Sequence, residues 1–449
     1  MSTTEEDSIP VSAPSDWLGT LRHLGPGLII SAVIVGSGEL IATPKLGASV
    51  GFKLLWFIIL GCLVKVFVQI ELGRFAVSRG MTTLEAMNII PGPRFIVSWL
   101  VWLWLLMYVA LVFQVAGMVG GLASIISLAG IPVANWILAL GVGVSCSILL
   151  IVGRYRLVEV FSTVMVALFT VCTMVAVGIL QGTPFAITPA QIIEGLKFQM
   201  PDSFTVAFGT FGIIGVGASE LIYYPYWCLE KGYGRNIGPR ESSPAWFERA
   251  RGWIRIMRVD ALVSFVIYTS ATLAFYFLGA AILKAKGLTV DDNQMIETLS
   301  HMYRETFGQS SYWLFLFGAA CVLYSTVFGA TASNARLFAD ALSIFKIVEY
   351  KTPEDRVKMV KVGCVLLPCA FVGVYLSWGA PVSLVFVGAI AQGLMLPFLA
   401  FAALYFHYRH TDKELLPGRS WVTSLWIAGL CMGAVGLYQV IAQLSKLMP

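Results

Sequence analysis

Two glutamates, Glu39 and Glu220, stand inside long apolar stretches of this sequence. A carboxylate in the middle of a membrane-spanning helix is costly unless it is paired or hydrated, so such a residue indicates a functional site. Carboxylate oxygens are hard ligands that suit cations such as Mg²⁺ and Ca²⁺. The two residues therefore predict a cation-binding site inside a membrane. The alternative is that each glutamate caps freed amides of its own helix or is protonated.

Both glutamates belong to the same short motif, which occurs twice. Residues 35–41 read V-G-S-G-E-L-I, residues 216–222 read V-G-A-S-E-L-I, and in each copy a proline follows five residues after the glutamate. Such a repeat indicates an internal duplication. Glycine and proline interrupt the backbone hydrogen bonds of a membrane helix, which is tolerated where the helix faces protein or a watery cavity. We therefore predict two broken helices that face each other across a binding site.

The predicted site consists of the two motifs and of polar or aromatic residues near them. Its substrate-binding residues are Gly36, Ser37, Gly38, Glu39, Gly217, Ala218, Ser219 and Glu220, with Glu39 and Glu220 as the metal ligands. Its accessory candidates are Lys65, Tyr223, Tyr224, Ser325 and Gln392. The lysine either pairs with a site glutamate or has a structural partner, namely Glu71 or a carbonyl. The tyrosines either hold an ammonium group by cation–π attraction or are packing and interfacial residues.

The composition places these motifs in an all-α, polytopic membrane protein. Of the 449 residues, 58% are hydrophobic and only 12% are charged, and the mean hydropathy is +0.81. This mixture is too apolar for the surface of a soluble protein of this length. Apolar runs of about 20 residues predict roughly eleven helical spans. The predicted spans are Gly25–Gly51, Phe52–Val77, Phe95–Leu128, Val133–Val152, Val158–Leu180, Phe204–Leu229, Asp260–Leu283, Tyr312–Ala335, Met359–Leu376, Ala380–Phe406 and Trp421–Leu444.

Lysine and arginine are concentrated in alternate connections between the spans, above all after the sixth and the eighth. By the positive-inside rule these connections are cytoplasmic. The amino terminus is therefore predicted to lie in the cytoplasm and, with roughly eleven spans, the carboxyl terminus outside it. We expect an integral protein of a plasma membrane or a bacterial inner membrane. The net charge of +5 marks orientation and does not predict a nucleic-acid partner.

The two motifs start five spans apart, so the two halves of the chain are predicted to have opposite orientations in the membrane. This arrangement is the inverted repeat of many secondary transporters. We predict one transmembrane domain over 21–449, in which repeat one covers about 21–182, repeat two about 200–407 and an extra helix about 420–444. Residues 1–20 are predicted to form a disordered cytoplasmic tail.

Further residues outside the two motifs contribute to a family resemblance. They are Gly25-Pro26-Gly27, the run Val50-Gly51-Phe52-Lys53-Leu54-Leu55-Trp56 with Gln69 and Arg74, Ala116 and Gly120 with Gly130-Ile131-Pro132, Ser325-Thr326 with Gly329 and Ala332, and Leu396-Pro397-Phe398. At these residues and at the motifs the chain resembles the Nramp family of divalent-metal transporters. The resemblance implies a LeuT-type fold, with an inverted repeat of five plus five helices and an eleventh helix. It also implies a metal site between unwound parts of spans one and six.

The chain departs from the family's pattern at the metal site. Where the family has Asp-Pro-Gly-Asn in span one, residues 36–39 read Gly-Ser-Gly-Glu, and where it has Met-Pro-His in span six, residues 218–220 read Ala-Ser-Glu. The family's proton-transferring acidic pair in span three matches Gln114, which joins the accessory candidates, and Gly117. The usual proton path is therefore not expected. Loss of the soft methionine ligand is expected to lower selectivity for transition metals over Mg²⁺ or Ca²⁺.

We expect a secondary transporter or facilitator that moves a small cation, most simply a divalent metal ion such as Mg²⁺ or Mn²⁺, by alternating access. The small residues Gly36 and Ala218 predict a roomier cavity, which supports the alternative of an organic cation such as an amine. Another alternative is a non-transporting sensor on the same fold. The histidines lie in loops or at helix ends and no phosphate-binding loop occurs, so the chain is not predicted to be an enzyme. Its expected partners are the lipid bilayer and the cationic substrate, with no cofactor and no obligate protein partner.

Overall fold

Helices account for nearly all of the secondary structure in the computed structural model, which describes residues 10–152, 155–200, 205–292, 294–308 and 311–447. In chain order they are α1 (Trp17–His23), α2 (Pro26–Ile34), α3 (Thr43–Val50), α4 (Leu55–Arg79), α5 (Thr83–Asn88), α6 (Trp99–Leu128), α7 (Asn135–Val152), α8 (Tyr155–Leu180), α9 (Pro189–Gly195), α10 (Thr205–Ile213), α11 (Ala218–Glu230), α12 (Tyr233–Ile237), α13 (Pro244–Leu278), α14 (Met295–Phe307), α15 (Ser311–Ile344), α16 (Pro353–Trp378), α17 (Pro381–Arg409) and α18 (Arg419–Leu447). The remaining elements are π-helical segments at Val35–Ala42 and Gly279–Leu283, a 3₁₀ turn at Lys413–Leu415, and antiparallel strands β1 (Arg94–Phe95) and β2 (Val97–Ser98).

Ten helical segments in the described part of the chain are long and apolar enough to cross a membrane. The first, Pro26–Val50, joins α2, a π-helical segment and α3, and the last, Arg419–Ile441, lies in α18. The chain is therefore an integral membrane protein. α8 covers the fifth predicted span, and its apolar stretch Ala167–Leu180 is shorter than the other spans. The eleventh span and the layout of five plus five helices stay predictions.

Glycines allow the spans to approach one another closely. α6 and α17 are in contact where Gly117 faces the Pro381 carbonyl. α10 lies against α17 at Gly212, where a Cβ atom would come within 2.0 Å of the Ala389 carbonyl oxygen. Small residues suit such interfaces because close van der Waals contact, not the hydrophobic effect, holds helices together in lipid. These contacts fix the end of α10 beside α17.

The first motif widens its helix and does not break it. Residues Val35–Ala42, which include Glu39, form a π-helical segment with α-helix on both sides. The Thr43 hydroxyl donates a hydrogen bond of 2.8 Å to the Gly38 carbonyl at the end of this segment. Wider turns of this kind are frequent at functional sites. The prediction of a broken first span is therefore corrected to a π-helical one.

The second motif does break its helix. α10 ends at Ile213, α11 begins at Ala218, and Gly215 between them has a φ of 56°. Glycine adopts this left-handed conformation without steric cost because it has no Cβ atom. The carbonyls at the end of α10 and the amides at the start of α11 have no partners within their own helices. The break therefore needs polar side chains from other spans.

The structure describes a helix inside the stretch 1–20 that was expected to be disordered. α1 begins at Trp17. Before it, the Val11 carbonyl accepts a hydrogen bond of 2.8 Å from the indole N–H of Trp253 in α13. From Val11 onward the predicted tail is therefore corrected to a segment bound to α13, while residues 1–9 lie outside the described residues.

Replacing Gly212 by alanine is expected to lower the thermal stability of the protein in detergent. The added methyl group would lie 2.0 Å from the Ala389 carbonyl oxygen, and overpacking of this kind costs about 1–3 kcal/mol. Gly433→Ala in α18 is the matched control, because no atom of another segment lies within 4 Å of its added methyl group. Size-exclusion chromatography after heating measures both melting temperatures. Equal values would contradict the close packing of α10 on α17.

Candidate cation site at the helix break

Glu39 connects the first motif to the break in the second. Its side chain is fully buried. Its Oε1 atom accepts hydrogen bonds from the Gly215 amide at 3.1 Å and from the Thr272 hydroxyl at 2.6 Å. Its Oε2 atom is buried and has no hydrogen-bond partner among the described residues. The side chain therefore caps an amide just before the second motif, not one of its own helix, and its Oε2 atom is available to a ligand.

Glu220 lies in the first turn of α11, on the other side of the break. It is 6% exposed, and its Oε1 atom accepts a hydrogen bond of 2.8 Å from the Ser219 hydroxyl. The amino-terminal end of a helix carries a partial positive charge, which favours a carboxylate at this position. The structure thus places both predicted acids beside the break at 214–217.

A chain of amide side chains extends from the break toward α6. The Oε1 atom of Gln392 accepts a hydrogen bond of 2.9 Å from the Ser219 amide, and its Nε2 atom donates one of 2.9 Å to Gln114. α17 carries Gln392 and α6 carries Gln114. Two accessory candidates from distant parts of the sequence are therefore connected to the second motif.

Lys65 binds the carbonyl side of the break. It is fully buried in α4. Its ammonium group donates hydrogen bonds to the carbonyl of Phe211 and, at 2.8 Å, to that of Ile214. Glu71, the alternative structural partner, instead accepts a hydrogen bond of 2.6 Å from Arg74. Of the partners considered for Lys65, the structure therefore shows backbone carbonyls.

The space beside Gly36 is filled. A Cβ atom on this residue would lie 1.9 Å from the hydroxyl oxygen of Thr326 in α15. That hydroxyl donates a hydrogen bond of 3.1 Å to the Ala32 carbonyl of α2. The roomier cavity inferred from Gly36 is therefore corrected, because a side chain from another span occupies that volume.

The other motif residues allow close approach of the two spans. A Cβ atom on Gly38 would lie 2.5 Å from the Ile213 carbonyl oxygen, so only glycine lets the π-helical segment approach the end of α10. Ala218 is fully buried at the start of α11. The side chain of Ser37 lies outside the described part of the chain. Ser325 is buried, and its hydroxyl has no hydrogen-bond partner among the described residues.

The two tyrosines after Glu220 are buried packing residues whose hydroxyls bind neighbouring helices. The Tyr223 hydroxyl donates to the Asn334 side chain at 2.9 Å. The Tyr224 hydroxyl lies 3.1 Å from Asp260 of α13. Asp260 in turn accepts hydrogen bonds from the amides of Gly25, at 2.8 Å, and Gly27, at 2.6 Å, at the start of α2. These contacts join α2, α11 and α13.

Two threonines contact the site, of which Thr272 was not singled out in the sequence and Thr326 was noted only in the Ser325-Thr326 pair. Thr272 of α13 binds Glu39, and Thr326 of α15 fills the space at Gly36. A single threonine in an apolar span commonly bonds to its own helix, and the Thr272 hydroxyl also lies 2.7 Å from the Tyr268 carbonyl. Neither the type nor the spacing of Thr272 distinguishes it in the sequence.

The site offers hard oxygen atoms and one fixed positive charge. Among the described residues, no three histidine, cysteine or acidic side chains cluster in a way that could hold a metal ion. The side-chain oxygen atoms at the break belong to Glu39, Glu220 and Gln392. Oxygen ligands of this kind suit Mg²⁺, Ca²⁺ and Mn²⁺.

Known sequences place the chain in a family. The sequence model of the Nramp family, described as natural resistance-associated macrophage protein-like, matches residues 27–442. The divalent metal cation transporter MntH of Mycobacterium tuberculosis is 24% identical over 335 residues, which cover 74% of this chain and 71% of the relative. MntH of Xanthomonas campestris pv. campestris is 20% identical over 426 residues, which cover 94% of this chain and 90% of the relative.

Solved structures show the same fold. A mutant of the Eremococcus coleocola manganese transporter superposes with a TM-score of 0.72 at 14% identity, over 97% of this chain and 90% of that one. The nucleobase-cation-symport-1 transporter Mhp1 superposes with a TM-score of 0.52 at 14% identity, over 96% of each chain. These matches confirm the predicted all-α, LeuT-type architecture. Because the family model matches nearly the whole chain, the protein belongs to the Nramp family.

Proposed function

We propose that this protein is a secondary transporter or facilitator for a small cation, with a divalent metal ion such as Mg²⁺ or Mn²⁺ as its substrate. The observation that carries the proposal is the Oε2 atom of Glu39, buried beside the break without a hydrogen-bond partner among the described residues. A buried polar atom without a partner is costly, and a bound cation would satisfy it. The relatives named divalent metal cation transporters support the same class of substrate.

Glu220 and Gln392 supply the second set of oxygen atoms. A Cβ atom on Gly217 would lie 2.5 Å from Glu220 Oε2 and 2.4 Å from Gln392 Oε1, so these two oxygens converge on the space that this glycine leaves open. With Glu39, which binds the nearby Gly215 amide, they would make a set of oxygen ligands without sulfur. Such a set favours Mg²⁺ or Mn²⁺ and selects weakly for softer transition metals.

We propose that transport does not use the proton path usual for the family. The positions that correspond to the acidic pair hold Gln114 and Gly117. Gln114 accepts a hydrogen bond of 2.9 Å from Gln392, and an amide neither binds nor releases a proton near neutral pH. Gly117 lies against Pro381, with no room for a side chain. The described contacts at these positions therefore favour cation movement without proton transfer.

We further propose that two inverted repeats, about 21–182 and 200–407, alternate around this site, with α18 as the extra helix. The segment 214–217 is the natural hinge, because it lies between the end of α10 and the start of α11 and contains Gly215 with a φ of 56°. The lysine- and arginine-rich connections assign the amino terminus to the cytoplasm and the carboxyl terminus to the opposite side.

The alternative of an organic cation gains no support from the site. Thr326 fills the volume beside Gly36, which is one of the two small residues from which a roomier pocket was expected. The hydroxyls of Tyr223 and Tyr224 bind Asn334 and Asp260, as expected for packing residues between helices. A divalent cation is therefore the substrate class that the geometry supports best.

Glu39→Gln and Glu220→Gln are each expected to abolish saturable binding of Mn²⁺ and Mg²⁺, because each removes a negatively charged ligand at nearly constant size. Isothermal titration calorimetry of the purified protein with Mn²⁺, Mg²⁺ and Ca²⁺ measures the binding. Glu194→Gln is the matched control, since this glutamate is exposed on α9 and is expected to leave binding unchanged.

Full binding in both site variants would contradict the assignment of Glu39 and Glu220. Failure of the unaltered protein to bind any of the three metals would contradict a divalent substrate, and thermal stabilisation by amines would then select an organic cation. Binding of a metal without flux into sealed proteoliposomes would select a sensor over a transporter.

Thr272→Val is expected to weaken Mn²⁺ binding about ten- to a hundredfold. The hydroxyl donates a hydrogen bond of 2.6 Å that directs Oε1 of Glu39 away from the ligand and leaves Oε2 free, and bonds to charged groups contribute about 1.5–3 kcal/mol. Thr269→Val, one turn earlier on α13, is the matched control, because its hydroxyl has no hydrogen-bond partner among the described residues. Calorimetric titration of both variants checks the prediction, and equal affinities would show that Thr272 does not position Glu39.

A further inference from the structure

The ammonium group of Lys65 lies at the helix break and binds backbone carbonyls that a free cation would otherwise coordinate. Its ammonium donates to the carbonyls of Phe211 and Ile214 and lies 4.4 Å from the centre of the Phe211 ring. Carbonyls freed by a broken helix are the groups that coordinate coupling ions in transporters with inverted repeats. In this protein a cation tethered to α4 occupies those carbonyls.

Two carboxyl groups and one amino group lie among the described side chains at the break. Glu39 binds the Gly215 amide, Glu220 begins α11, and Lys65 binds the end of α10. Without the lysine, the unloaded site would hold two buried carboxylates and no cation, and uncompensated buried charges are strongly destabilising. With the lysine, one of the two charges is balanced when no substrate is bound.

We propose that Lys65 is the built-in counter-cation of the unloaded site, which lets the empty carrier return across the membrane and so permits net transport. This inference rests on the proposed function. A carrier whose empty site holds two unbalanced carboxylates returns only with a cation bound, so it exchanges substrate across the membrane without net movement. The tethered ammonium supplies a positive charge that is never released. The return step then needs neither a proton nor a second ion.

The same charge sets the affinity for the substrate. A divalent cation between Glu39 and Glu220 is repelled by the ammonium of Lys65, and this repulsion is strong because little water screens it. The site therefore binds its substrate less tightly than two carboxylates alone would, and it releases the substrate more readily. Removal of the charge is expected to tighten binding and to slow net transport at the same time.

A purely structural role for Lys65 predicts different behaviour. Capping the end of α10 requires hydrogen-bond donors but no charge, and the amide of glutamine has two N–H donors. Lys65→Gln keeps the donors and removes the charge, whereas Lys65→Met removes both. If the lysine were only a cap, the glutamine variant would behave like the unaltered protein. The two substitutions therefore separate the charge from the hydrogen bonds.

Lys45 provides a matched control in the same part of the molecule. Its ammonium donates a hydrogen bond of 2.6 Å to the Val290 carbonyl and lies 5.7 Å from the centre of the Phe386 ring. It thus makes the same two kinds of contact as Lys65, but with a carbonyl outside the break. Lys45→Met removes a partly buried lysine without changing the charge at the proposed site.

The experiment measures Mn²⁺ flux into proteoliposomes in two modes, net uptake into vesicles without Mn²⁺ and exchange into vesicles preloaded with Mn²⁺. Lys65→Gln is expected to lose net uptake at least about tenfold more than it loses exchange, and to bind Mn²⁺ about tenfold more tightly in calorimetry. Lys45→Met is expected to match the unaltered protein in both modes.

Net uptake by Lys65→Gln at the level of the unaltered protein would overturn the inference. A parallel loss of uptake and exchange with weaker binding would also overturn it, because that pattern marks a structural cap. If Lys65→Met fails to fold, the glutamine variant still decides, since it retains the donors. Absence of both modes in the unaltered protein would overturn the proposed function itself, a result distinct from altered flux in the variants alone.

Discussion

A helix that stops inside a membrane leaves backbone groups that water does not reach, and this constraint organises the centre of the protein. Side chains from three other spans form hydrogen bonds with backbone groups at the gap between α10 and α11. Lys65 binds the carbonyl of Ile214, Glu39 binds the amide of Gly215, and Gln392 binds the amide of Ser219. The break and its buried polar partners therefore depend on one another. Polar residues that would be costly in an intact apolar span become stabilising beside the broken one.

The repeated motif is enough to predict the site, because an acidic residue inside an apolar run can be recognised in the sequence without knowing how the helices pack. The backbone conformation of the two copies could not be predicted in the same way. Their sequences are nearly the same, yet one copy is π-helical and the other is broken. Gly38 lies against the Ile213 carbonyl, and Gly215, just before the second copy, has a positive φ. These differences arise from contacts between spans, which the pattern within one span does not contain.

The hydrogen-bond and packing partners of individual polar residues could not be predicted from the local sequence either. Lys65 reaches carbonyls that follow it by about 150 positions in the chain, and Thr326 reaches Gly36 from another span. The fold itself is more robust to sequence, since the chain and the manganese transporter share a backbone arrangement at 14% identity. Many apolar side chains build the same spans, whereas the chemistry of the site depends on a few specific residues.

Asp260 has a mechanical consequence for any movement around the break. One carboxylate on α13 accepts hydrogen bonds from the first amides of α2, at Gly25 and Gly27, and from the hydroxyl of Tyr224 on α11. The start of the first span and the second half of the sixth are thereby fastened to the same point. A tilt of α11 toward one side of the membrane would break the hydrogen bond between Tyr224 and Asp260 unless α2 and α13 moved with α11.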